Sequence, residues 1–122
     1  MNNIVGGVNA DKLLMYWNIG KIVYENRINY SNIVEKCSNY YSYLFGNSYI
    51  FTRENIWLME KFYLMFPIFS SRLEDITWNQ YKLLFKINNS KERYFYFYIV
   101  LFFNFDYDNT LDLINNNYYL RI

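Results

Sequence analysis

The chain has 122 residues, a formal net charge of +1, a 53% hydrophobic share and a 24% aromatic share. That is the length of one domain, and it is too apolar for a disordered chain. A near-neutral balance argues against a broad basic surface that binds phosphate through counterion release, and equally against an acidic mimic of DNA; a local basic patch stays open. Ala10 is the sole alanine while Asn, Ile, Tyr, Phe and Lys abound, a bias that fits AT-rich codons, so aromatic content alone is no sign of base stacking.

Cys37 is the only cysteine and there is no histidine. An intrachain disulfide, a zinc site of the usual ligands and a His-dependent triad are therefore not expected, and neither a metal nor a cofactor is. Cys37 reads as a small apolar residue on a helix face. No basic segment followed by an apolar run opens the chain, as a signal peptide would. The most apolar stretch, "YFYFYIVLFF" at 94–103, is far short of the roughly 20 residues that a membrane-spanning helix needs. A cytoplasmic protein without a membrane partner is expected.

Residues 1–8, "MNNIVGGV", read as a loose start. A first helix is expected from Asn9 or Asp11 through "KLLMYWNIGKIVYENR", with a stripe of Leu13, Leu14, Trp17, Lys21, Val23 and Tyr24. Gly20 inside it costs about 1 kcal/mol against alanine, and a close helix crossing there would explain it. Ser31 is placed to cap a second helix, "NIVEKCSNYYSYLF", striped by Ile33, Val34, Cys37, Tyr41 and Leu44, and Gly46 to end it in a left-handed conformation. "GNSYIF" reads as the turn. Thr52 caps a third helix, Glu54 suits its first turn, and Pro67 stops it.

"IFSSRLED" is a connector. Thr77 and Gln80 form a capping box for a fourth helix, "WNQYKLLFKI". Asn89 and Glu92 precede "KERYFYFYIVLFFNF", where propensity favours a strand while the cap, the length and the flanking helices favour a buried helix; we take it as a helix. Asp106 caps a last helix through "YDNTLDLINNNYYL". The expected fold is all-α, a single compact domain over 1–122 with five to six helices.

Three blocks in order, "YWNIGKIV" (16–23), "FTRENIWLMEKFYLMFP" (51–67) and "ITWNQYKLLFKINNSKERYFYFYIV" (76–100), resemble the N-terminal domain of the YhcG-like PDDEXK nucleases. The resemblance implies a helix-turn-helix-like, all-α accessory domain placed ahead of a nuclease domain. It does not imply catalysis in this chain. A PDDEXK site needs clustered carboxylates and a lysine to hold metal and activate water, and its local trace, an acid, one residue, then lysine, occurs nowhere in the sequence. The chain stops at Ile122, about where the nuclease would begin, so a non-enzymatic accessory domain is expected.

Arg53, Asn55 and Lys61, with Lys82 and Lys86 on the next helix, are the candidate residues for contact with nucleic acid or a partner, because Arg and Asn are the side chains that read base edges. Glu54 and Glu60 stand where the family often carries basic residues. They would repel phosphate, which points toward contact with protein. Trp17, Trp57 and Trp78 sit at apolar helical positions and are expected in the core. The pairs Glu74–Asp75 and Asp106–Asp108 read as caps and loop residues. The 94–103 run is apolar on many sides; it is either a central core helix or partly a patch that a homodimer or a larger partner covers.

The function expected is that of a binding module for nucleic acid or a nucleic-acid-processing protein complex. The alternative is a small phage or mobile-element inhibitor that docks on a host defence complex by protein contact, as an anti-CRISPR would.

Overall fold

The computed structural model describes residues 7–46 and 49–121. The expected loose start lies outside them up to residue 6, while its last two positions, 7–8, are helical and begin the first helix earlier than expected; positions 47–48 of the expected turn also lie outside. The described residues form α-helices α1 (Gly7–Asn26), α2 (Ile33–Phe45), α3 (Arg53–Met65), α4 (Trp78–Leu84), α5 (Ser90–Phe102), α6 (Tyr107–Asn115) and α7 (Tyr118–Arg121), with a 3-10 turn at Ser71–Asp75 inside the expected connector. None of them is in a strand, and the fold is all-α. No helix among them is long and apolar enough to cross a membrane.

Backbone contacts group the chain into two units, Asp11–Phe69 and Ser70–Ile122, the latter joined by Met1–Ala10. In the Asp11–Phe69 unit the buried line of α1 is Leu13, Tyr16, Ile19 and Val23. This is the 3.6-residue stripe turned from the expected one, so Leu14 and Tyr24 come out exposed. Gly20 lies on the buried side, and a Cβ there would stand 2.0 Å from Met59 O of α3. The close crossing inferred from sequence is present, and only glycine fits it. Trp17 is half-buried; its Nε1 donates to Phe66 O at 2.8 Å and its ring meets Tyr63 and Phe69 edge-on.

α2 is entered differently from the expectation. Asn32, not Ser31, holds the N-cap position, and its side chain makes no cap bond. Ile33 and Cys37 are buried; Leu44, expected in the stripe, is 52% exposed. Burial pushes the Cys37 thiol up from its ordinary pKa, as befits an apolar residue. Gly46 ends the helix at φ 65°, its N–H donating to Ser42 O. Thr52 caps α3 by accepting from Asn55 N at 3.1 Å, and the helix stops two residues before Pro67.

In the other unit, Asn9 Nδ2 donates to Glu74 O at 2.7 Å. The Thr77–Gln80 capping box is formed. Gln80 is itself buried; its Nε2 donates to Phe105 O (2.7 Å) and Thr110 Oγ1 (3.0 Å), tying the start of α4 to the entry of α6. Tyr81, fully buried, donates its hydroxyl to Leu73 O at 2.6 Å.

α5 is a helix despite its strand-prone residues, because Tyr96, Phe97 and Val100 are buried where α4, α6 and α7 pack against it. Arg93, also buried, donates from Nη1 to Ile87 O (2.7 Å), binding the α4–α5 connection to the first turn of α5.

α5 ends three residues earlier than expected. Asn104 takes φ 53° and donates to Leu101 O, while Phe105 N reaches Val100 O, a Schellman ending with Asn in place of Gly. Asn117, at φ 51°, likewise splits the expected last helix into α6 and α7. The split at Asn117 accounts for the helix count above the expected five to six among the described residues.

Candidate functional site

Three of the five candidate residues lie on α3, in the Asp11–Phe69 unit, and two in the other unit. Arg53 opens α3 with its side chain 72% exposed, 3.9 Å from Glu35, which is also exposed. A surface pair of that length contributes little and leaves the guanidinium available. Asn55 is committed locally: its N–H meets the Thr52 cap and its Nδ2 donates to Tyr49 O at 3.3 Å. Lys61 holds its Nζ 4.7 Å from the centre of the Trp57 ring. Lys82 is half-buried on α4, and Lys86 is exposed in the turn after it.

Two expectations about α3 are corrected. Trp57 is not in the core; it is 47% exposed and carries Lys61 over its face. Glu60 is not part of an outward acidic face; it is 4% exposed and takes a bidentate pair from Arg27, at 2.5 Å to each oxygen. The hydrogen bond to Glu60 raises the Arg27 pKa, holding that guanidinium charged. Of the two glutamates in the charge argument only Glu54 is exposed, beside Arg53 and its surface partner Glu35, so the argument against phosphate contact is weaker than the sequence implied. Trp78 is buried, as expected.

The feature not found from sequence is a groove of about 340 Å³ between α1 and α2, lined by Asp11, Leu14, Met15, Asn18, Ile19, Ile22, Tyr41 and Phe45. Its α1 wall is a second helical stripe at spacings of three and four, beside the core stripe. The signal was present in the sequence, but α1 is apolar around so much of its circumference that the two stripes merge. Leu14 and Ile22 are 42% and 40% exposed along this wall. Asp11 on its rim, and exposed Glu25 one turn past Ile22, pair with no cation among the described residues.

No group of three or more Cys, Asp or Glu residues comes together to hold a metal among the described residues. The features described are those of an all-helical protein whose candidate sites are surfaces: a charged aromatic helix face and an apolar groove. The family model of the DUF1016 N-terminal domain matches residues 1–121, and the chain belongs to that family. The domain occurs in YhcG-like nuclease family proteins, the relation that the three sequence blocks imply. No curated protein and no solved structure matches the chain.

Proposed function

We propose that the chain is a non-enzymatic binding module that contacts the protein part of a nucleic-acid-processing complex. The observation that carries this reading is the α1–α2 groove, lined mainly by apolar side chains with Asn18 among them and Asp11 at one end, and exposed Glu25 beyond Ile22. Such a groove suits an amphipathic helix that inserts apolar anchors at i, i+3 or i+4 and i+7. The unpaired acids select a helix with basic residues at its ends. Proteins that handle nucleic acid carry such basic segments. A phage or mobile-element inhibitor of a host defence complex would use the same surface, by occupying the site on its target.

A second reading is favoured by the α3 face. An exposed Trp57 with Lys61 over its ring and Arg53 one turn before it combines a stacking surface with cations, the elements of single-strand contact.

Fluorescence anisotropy with labelled single-stranded and duplex oligonucleotides separates the two. The first reading expects weak binding, little changed in Arg53→Glu. Tight binding that falls roughly 10³-fold or more over a few-fold rise in salt, and is lost in Arg53→Glu, would replace it with the second.

A further inference from the structure

We infer that the outer face of α5 is a two-fold interface between copies of this chain. Tyr94, Tyr98 and Phe102 follow one another at i, i+4 and i+8; the Tyr98 and Phe102 rings stack at 5.9 Å, and Tyr94 and Tyr98 lie 6.4 Å apart. Tyr98 is 39% exposed, Phe102 71% and the neighbouring Phe103 69%. Tyr118 of α7, 43% exposed, stacks on Phe95 and extends the surface sideways. Together these rings offer roughly 500 Å² of apolar surface per copy, so a pair would bury about 1,000 Å², the size at which a specific interface begins.

The charges at its ends say which partner fits. Lys91, exposed, continues the same stripe one turn before Tyr94, and Asp106 and Asp108, both exposed, follow the other end of α5. Lys91 and Asp108 have no ion-pair partner among the described residues. Two α5 helices laid antiparallel about a two-fold axis set aromatic row on aromatic row and bring each copy's Lys91 end to the other's acidic end. A surface complementary to itself in this way is what an isologous dimer requires.

Sedimentation equilibrium of the full chain tests this. The expected mass is twice the 15.1 kDa of one chain. Phe102→Glu, which puts a charge into the aromatic row at a well-exposed position, should raise the dissociation constant at least tenfold, about 1.4 kcal/mol. Tyr98→Glu serves as a second variant, and circular dichroism checks that each folds. Tyr43→Glu, at an 87% exposed position on α2, should leave the dimer unchanged. A wild-type chain that stays monomeric, or a dimer that folded Phe102→Glu and Tyr98→Glu leave intact, would overturn the inference.

Discussion

Gly20 and Tyr81 are the two residues whose side chains, one absent and one buried, carry the clearest energetic consequences. Helix propensity alone would make Gly20→Ala stabilising by about 1 kcal/mol. The 2.0 Å approach of Met59 O to the added Cβ reverses the sign, because backbone cannot yield as a flexible side chain would. A net loss of about 1–3 kcal/mol is expected in urea denaturation, and a gain would show that the helices do not cross there.

Tyr81 gives a pH dependence. Burial, helped by Asp75, pushes its phenol far above the ordinary tyrosine pKa. Below about 10 both folded and unfolded chains hold the proton; above it the unfolded chain releases it and the folded chain does not, so stability falls as pH rises. Tyr81→Phe should cost about 1–2 kcal/mol at neutral pH through the lost bond to Leu73 O. It should also make the alkaline decline shallower by up to about 1.4 kcal/mol per pH unit, measurable by denaturation across that range. The Glu60 placement, by contrast, was not legible. Its partner Arg27 lies 33 residues away, and no local pattern joins them.

At the scale of the elements, the helix starts were the more legible ends. Thr52, Thr77, Asn89 and Asp106 each accept from the backbone N–H three residues on, as their residue types and spacing indicate. Asn32 is the exception, since α2 is entered through a backbone bond from Ile33 N to Tyr30 O instead. The helix ends were less legible where Asn104 and Asn117 take the left-handed conformation, because Asn marks it far less often than Gly. The capping box at α4 also does more than capping. Thr77→Ala removes one cap bond and should cost about 1 kcal/mol. Gln80→Leu removes the bonds to half-buried Phe105 O and to buried Thr110 Oγ1 as well and should cost about 2–3 kcal/mol, with the order of the two variants read from their urea midpoints.

At the scale of the molecule, composition excluded a broad basic surface, and the α-helical class followed from spacing and caps. The groove did not follow from them, because a surface between α1 and α2 depends on which of two merged stripes the core takes. The measurement that bears most directly on the proposed role is capture from host lysate with the wild-type chain, Leu14→Glu and Arg53→Glu, each with and without nuclease. Groove docking expects a defined protein complex that survives nuclease treatment and Arg53→Glu but is lost in Leu14→Glu. Capture that vanishes with nuclease or with Arg53→Glu, and persists in Leu14→Glu, would contradict it.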